Sequence, residues 1–535
     1  MKIFHFIIKS IFNIGVKRFF FIFFIVIFSI FFLNLVSSRL YISHVSKIKF
    51  QNYTKNVCNK FVPFVKSKFI YIKTDVLDVK INLVDGTIYK SKLLNYQDKR
   101  NNFKRINLVN KLHKLQVKNF LLSHCNQLKD FKNLRYFSNC THFRLLNGKK
   151  NLLVPIFKKN KNGIYFIKTL IFKKGSYNIE VQYQICNYTK KIVSYSIWCE
   201  LQNSLHLYSM NKNVNFTSLA FSTKNKKCAV YDFSNIKKNK TMNFYTSNGW
   251  IAMLQKYFSI AWVLDQVHQN HMYISRDRNT VTAGYISEKF FVPANTVTVK
   301  HMMLWIGPKI QNQLKQVAPY FDYTIDYGWF SMIGRPLFLL CNFFHCVVKN
   351  WGFLIILVTC LIRFITYPLM KLQYLSTIKM RLLKPQIDEI KKEYSHHRQK
   401  MNDLILKLYK ENNVNPMTGI FSVIIQMPIF LALYYILVNS IEFRHSPFIF
   451  WIHDLSAQDP MYILPILMGI TMFFVQRTSS TNAMNSTREK IFSYISLLCT
   501  VFFLWFPSGL VLYYVCSNII TVIQQLIINY QLKNN

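Results

Sequence analysis

The sequence predicts a polytopic α-helical membrane protein of six transmembrane helices, five of them forming a C-terminal core, with a large β-sandwich held outside the membrane. Three observations carry that reading. An apolar run of about 20 residues occupies 19–38, the length of a spanning helix. Five further apolar segments crowd the last third of the chain, at 351–370, 418–438, 461–476, 491–506 and 508–528. Between the two lies a long polar stretch whose Ile, Val, Tyr and Phe recur at short period, which is the strand signature.

The first element, 1–38, reads as an uncleaved signal anchor. Lys2, Lys9, Lys17 and Arg18 precede the apolar run, only Arg39 follows it directly, and no A-x-A site comes after. Residues 39–330 form the sandwich domain. Phe69–Ile81, Val84–Tyr89 and Gly163–Phe172 read as strands, with Asp85-Gly86 and Lys174-Gly175 supplying turns between them. Residues 331–350 are amphipathic and aromatic, interrupted by Gly334 and Pro336, and suit a helix lying in the membrane interface. The core is 351–530, its loop 372–417 a cytoplasmic helical hairpin, and 531–535 are a short tail. Within the loop, Met380, Leu383, Ile387, Ile390 and Tyr394 follow helical spacing. Met401, Leu404 or Ile405, and Leu408 repeat it after a break at 395–398.

Loop charge orients the spans. Ten Lys/Arg fall between 371 and 410, and Arg477, Arg488 and Lys490 follow the fourth span. Loop 441–460 has only Arg444 beside Glu442, Asp454 and Asp459. The positive-inside rule then puts both termini in the cytoplasm and 39–350 outside. The net charge of +46 does not imply nucleic-acid binding. The basic residues are dispersed, and Lys, Asn, Ile, Phe and Tyr are abundant together, as A/T-rich codons would produce. The eleven cysteines form no CxxC pair, which removes the zinc and thioredoxin-like readings. Six of them (Cys58, Cys125, Cys140, Cys186, Cys199, Cys228) lie in the external domain, where disulfides are allowed but their pairing is unreadable.

The strongest functional signal is Arg363, in the middle of the span WGFLIILVTCLIRFITYPLM. A central arginine costs about 2.5–3.5 kcal/mol on insertion scales, so it marks a functional position by default. Thr359 and Tyr367 share its helix face at four-residue spacing. Thr418, Ser422 and Gln426 form a second stripe. Tyr514, Ser517 or Asn518, Thr521 and Gln524 form a third, and Ser493, Ser496 and Thr500 a weaker fourth. One stripe alone is ordinary interhelical glue. Several around an arginine predict a shared hydrophilic concavity that receives polar, often acidic, peptide. No metal cluster, P-loop or acid pair with a readable nucleophile is present, so no cofactor and no catalysis are expected. His453-Asp454 reads as a structural turn.

The segments that carry these features, 352–368 with Arg363, NPMTGIFSVIIQMPIFLALYY at 415–435, WIHDLSAQDPMYILPILMGITMFF at 451–474 and 502–525, closely resemble the YidC (Oxa/Alb) family of membrane protein insertases, Gram-negative type. GWIAMLQKYF at 249–258 and TDVLDVKIN at 74–82 resemble that type's periplasmic domain. The resemblance implies a periplasmic β-supersandwich, a five-helix core around a hydrophilic groove, and ATP-independent insertion of membrane proteins in the inner membrane. By matching position it puts Arg363, Thr359, Gln426, Trp505 and Tyr514 in the groove, with Tyr367 and Tyr374 at its cytoplasmic mouth. The implied partners are nascent membrane proteins, the lipid bilayer, and the Sec translocon with its accessory subunits. The ribosome and the signal-recognition-particle receptor are further candidates. Two departures stand out: Asn415-Pro416-Met417-Thr418-Gly419 where relatives often pair glycines, and a tail too short for the ribosome contact made by longer relatives. A transporter or channel is disfavoured by the lack of inverted repeats or a filter, and a sugar-processing sandwich by the missing acid pair.

Overall fold

The computed structural model describes residues 67–98, 105–110, 115–124, 135–159, 163–205, 216–236, 241–264, 269–412, 418–479 and 498–534. The expected anchor 19–38 and residues 480–497, which hold the first part of the expected fifth span, lie outside them.

Alternating apolar residues build two antiparallel-dominated sheets whose inner faces bury the core. The first begins with a hairpin that the sequence reading took as one strand. Strand β1 (Phe69–Lys73) ends at Thr74, whose Oγ1 accepts the Leu77 backbone N–H at 2.9 Å, turning the chain into β2 (Leu77–Asn82). The hydroxyl thus outcompetes strand continuation, as a local side-chain bond does at turns. Gly86, at φ 66°, closes the next hairpin before β3 (Thr87–Gln97), and the Tyr136 ring lies where a Cβ would sit.

After β4 (Arg105–Asn110) come β5 (Leu115–Ser123), β6 (His142–Arg144), β7 (Asn151–Lys159), β8 (Ile164–Lys173), β9 (Asn178–Asn187) and β10 (Val193–Ser204). They are followed by β11 (Ser218–Ser222), β12 (Ala229–Asp232), β13 (Thr241–Thr246), β14 (Trp250–Leu254) and β15 (Phe258–Val263). The last four are β16 (Asn270–Arg276), β17 (Thr280–Ser287), β18 (Phe290–Val292) and β19 (Thr296–Pro308). The larger sheet runs β13-β16-β17-β10-β5-β3-β2-β1-β6, with β4 and β18 attached to β3 and β10. The smaller runs β12-β11-β14-β15-β19-β9-β8-β7. Contacts between the inner faces tie them together: Phe166 meets Tyr195 at 5.5 Å, and Tyr183 on β9 donates to the Asn119 carbonyl on β5 at 3.2 Å. The sandwich buries Lys168, whose Nζ donates to Gly86 O at 2.9 Å, and that burial pulls its pKa down to about 8. Cys140, Cys186, Cys199 and Cys228 are free thiols; Cys58 and Cys125 lie outside the described residues.

Helix α1 (Gln311–Val317) and the 3₁₀ turn Phe321–Thr324 lead out of the sandwich. Helix α2 (Ser331–His345) follows, carrying the expected Pro336 and exposing Trp329 and Met332 at its start. Its Cys341 packs against Leu354 and Val358 of α3 (Trp351–Leu382), and Tyr327 against Phe338. Helix α3 runs 32 residues without a break, well past 370. The hairpin arms are therefore α4 (Lys384–Glu393) and α5 (Arg398–Glu411), starting later than 372. Leu383 and Ile387 meet Ile405, Leu408 and Tyr409, joining the arms along the spacing the sequence carried.

Helices α6 (Thr418–Asn439), α7 (Ile463–Ser479) and α8 (Ser508–Asn534) complete the described core, with a short helical stretch at 498–503 before the turn into α8. Among the described residues, two helical segments are long and apolar enough to cross a bilayer, Trp351–Met380 and Ser508–Leu532; Gln426–Asn439 and Ile463–Thr478 are shorter. The count of six spans is thus an expectation and not an observed number.

The sandwich and the helices meet at a defined seam. Arg444 donates from Nη2 to the carbonyls of Gln97 and Asp98, each at 3.0 Å, at the end of β3. Asn439 donates to Asp326 O at 2.8 Å, and the Gly328 backbone lies against the Tyr435 ring. In the loop between α6 and α7, Asp454 Oδ1 accepts from the backbone N–H groups of His445 (3.1 Å) and Ser456 (2.9 Å) and from Ser456 Oγ (2.8 Å). His453-Asp454 is a structural turn, as its sequence context indicated.

Candidate functional site in the helical core

Arg363 lies one-third of the way along α3, flanked on both sides by apolar turns, and only 8% of it is exposed. Burying a guanidinium without partners is prohibitive, so its neighbours define the site. Nε donates to Ser517 Oγ of α8 at 2.7 Å, and Nη2 donates to the same oxygen. Ser517 is itself fully buried. Gln524, two turns further along α8, donates from Nε2 to the Arg363 carbonyl at 3.3 Å. Among the described residues no carboxylate forms an ion pair with Arg363. Its side-chain hydrogen-bond partner among the described residues is the neutral Ser517 hydroxyl, so its charge is solvated but not cancelled.

Around this pair the polar stripes converge unequally. Thr359, fully buried one turn before Arg363, bonds back to Ile355 O at 2.6 Å within its own helix. Gln426 of α6 donates to Tyr513 Oη at 2.6 Å, and Tyr513 is one turn before Ser517 on α8. Tyr513, Ser517 and Thr521 therefore form a buried row facing α3 and α6. The sequence reading began this stripe at Tyr514. That ring instead packs among Phe430 at 5.4 Å and Phe503 at 5.0 Å, lining the apolar side of the same region. Tyr513 carried a legible signal, its exact four-residue offset from Ser517.

Trp505 stands apart, 65% exposed in the turn before α8, where its carbonyl accepts from Gln458 Nε2 at 3.3 Å. Tyr367 is half-buried on α3. Tyr374, two turns further along, donates to Asn529 Oδ1 at 3.0 Å and Thr478 O at 3.3 Å, joining α3, α7 and α8 at the end of the core nearest the hairpin. The side chains of Thr418 and Ser422 lie outside the described residues, as do Ser493 and Ser496. Asn518 donates to Thr471 Oγ1 at 3.2 Å, a further α8–α7 tie.

Residues 343–535 match the family described as 60Kd inner membrane protein, and residues 69–340 match the YidC periplasmic domain. The membrane protein insertase YidC of Buchnera aphidicola subsp. Acyrthosiphon pisum (strain APS) is 40% identical over 481 residues, covering 88% of this chain and 90% of that protein. The chain belongs to the YidC family of membrane protein insertases. A second YidC, from Buchnera aphidicola subsp. Baizongia pistaciae (strain Bp), is 41% identical over 502 residues, covering 91% of this chain and 93% of that protein. A solved structure of an active YidC insertase with its first transmembrane domain resolved aligns at 19% identity and a TM-score of 0.38, covering 86% of this chain and 93% of that one.

In YidC terms, the two sheets form the periplasmic domain and the helices from α3 onward the insertase region of an inner-membrane protein. Membership of the YidC family supports a role in membrane protein insertion and not in catalysis. Nascent membrane proteins and the bilayer are the partners that role requires.

Proposed function

We propose that Arg363, Tyr513 and Ser517, with Gln426 of α6, form a polar reception site that draws the hydrophilic segment of a nascent protein into the membrane while its apolar helix passes into lipid. The observation that supports this most is the buried guanidinium whose hydrogen-bond partner is the uncharged Ser517. A structural arginine inside a membrane is expected to be paired with an opposite charge or with backbone carbonyls. One held by a hydroxyl keeps its positive potential for a passing acidic or polar chain. Thr359, Tyr514 and Trp505 contribute walls, Ser422 extends the α6 stripe, and Tyr367 and Tyr374 mark the cytoplasmic mouth.

In this reading the termini and the hairpin lie in the cytoplasm, the domain comprising 39–330 lies in the periplasm, and 331–350 rests in the outer interface. Six helices span: the anchor within 1–38 and five in 351–530. Transfer needs no ATP, because the energy comes from desolvating the client's apolar helix into lipid, at roughly 25 cal/mol per Å². The protein works alone and beside the Sec translocon, and the exposed hairpin faces cytosolic partners such as the ribosome or the signal-recognition-particle receptor.

Reconstitution into protein-free liposomes tests the proposal. The full chain inserts a one- or two-span client without nucleotide. An absence of insertion, or insertion that persists when the core 351–530 is removed, refutes it.

A further inference from the structure

The outer face of the larger sheet breaks the usual alternation of buried apolar and wet polar residues. Cross-strand register places three parallel rows on it. The first reads Tyr245 on β13, His271 on β16, Ile286 on β17, Trp198 on β10 and Phe120 on β5, each opposite the next. The second, two residues along, reads Asn243, Tyr273, Gly284, Glu200 and Lys118. The third continues with Ser275, Thr282 and Gln202. An aromatic rail thus runs beside a rail of hydroxyl, amide and charged groups.

The rails are fixed in place. The Tyr273 ring reaches across β17 because Gly284 has no side chain; a Cβ there would lie 2.8 Å from the Tyr273 hydroxyl. Tyr273 then receives the Trp198 indole N–H and donates to Glu200 Oε2 at 2.8 Å. Lys118 Nζ donates to Glu200 Oε1 at 2.9 Å and to Gln202 Oε1 at 2.5 Å. The Glu200 side chain is only 9% exposed. The ring planes of His271 and Tyr245 lie 33° apart at 4.9 Å and those of His271 and Tyr273 29° apart at 6.4 Å, while Phe120 meets Trp198 at 62° and 6.2 Å. Tyr245 is 74% exposed at the sheet edge.

We propose that this face is a binding site for a linear, uncharged saccharide chain. Pyranose rings have an apolar C–H face and a hydroxyl edge, and the two rails match those surfaces side by side. Lys118 and Glu200 cancel, so the rails themselves carry no net charge despite the charge of +46 on the whole chain. An extended peptide would seek open main-chain groups or deep side-chain pockets. In the interior of this face the main chain is already paired in the ladder. The first row crosses four strand spacings, about 19 Å at about 4.8 Å each, so it takes several rings in line.

The test is calorimetry on the full chain in lipid nanodiscs, with chitotetraose, maltotetraose and an unstructured Gly/Ser/Leu decapeptide as probes. One tetrasaccharide binds with Kd on the order of 1 mM or tighter. Tyr245→Ala and Trp198→Ala each weaken it at least about tenfold, and Tyr71→Ala, a distant exposed tyrosine, leaves it unchanged. Because Trp198 also anchors Tyr273, the exposed Tyr245→Ala variant decides if Trp198→Ala lowers the melting temperature. Binding of neither sugar, sugar binding indifferent to Tyr245→Ala, or binding of the decapeptide alone on this face overturns the proposal.

Discussion

Arg363 of α3 and Ser517 of α8 are joined by a hydrogen bond of 2.7 Å from Nε to Oγ, deep between two apolar helices. Ser517 is therefore both a helix–helix tie and the acceptor that makes a buried cation tolerable. Removing it leaves the guanidinium short of a partner, at about 1–3 kcal/mol. Ser517→Ala is expected to lower the thermal midpoint of the purified chain, and Ser517→Thr, which keeps the hydroxyl, to recover most of it.

Gln426 and Tyr513 form the α6 side of the site, 2.6 Å apart. Gln426→Leu should leave the melting temperature within a few degrees, since Tyr513 stays packed, while slowing insertion of a client with a polar external segment. A photo-crosslinker in place of Gln426 is expected to capture such a client during insertion. Capture from position 505 alone would move the site to the exposed turn.

Glu442 sits at the seam, just beyond α6, where burial pushes its carboxyl up to about 7 and its Oε2 has no hydrogen-bond partner among the described residues. A carboxyl whose folded pKa exceeds its unfolded value of about 4.5 favours the fold fully below that value. This contribution is lost as pH rises through about 7. The thermal midpoint should fall between pH 4.5 and 7 by the equivalent of roughly 3 kcal/mol, at 1.36 kcal/mol per unit. Glu442→Gln should flatten that slope.

Arg444 clasps the end of β3 through the carbonyls of Gln97 and Asp98. Arg444→Ala is expected to loosen the sandwich from the core by about 2 kcal/mol, the value of a charged hydrogen bond. Faster amide exchange at the seam, with the sheet interiors unchanged, is the measurement that checks it.

Gly469 of α7 lies directly against Thr500, so any side chain there meets the 498–503 stretch. Small residues allow such close helix contact in membranes. Gly469→Ile should cost about 1–3 kcal/mol by overpacking, read as a lower thermal midpoint. Pairing it with Thr500→Ala should restore part of the loss.

Legibility followed the physics of each element. The stripe containing Ser517 and Thr521 could be read because a buried helix face repeats every three to four residues, and Arg363 because an apolar run makes a charge conspicuous. The hairpin arms were legible from apolar spacing at Ile387 and Leu408, but their start was not. Nothing in 370–382 interrupts helical propensity, and α3 simply continues. Tyr513 and Tyr514 are adjacent and chemically alike, so only packing against Gln426 or Phe430 separates their roles. Thr74 looked like one residue of a longer strand, because the turn depends on its hydroxyl finding the Leu77 N–H. The outer-face rails were illegible, since they depend on register between strands as distant as β5 and β16.

The central claim is that the uncancelled charge of Arg363 receives the client. It is tested most directly by measuring insertion rates of two clients, identical except for an acidic or a neutral external segment, into liposomes carrying the wild-type chain or Arg363→Ala. The account predicts that Arg363→Ala slows the acidic client by about 10-fold or more, the equivalent of a lost charge-assisted contact of about 1.5–3 kcal/mol, and the neutral client by about 2-fold or less. Equal slowing of both clients contradicts it.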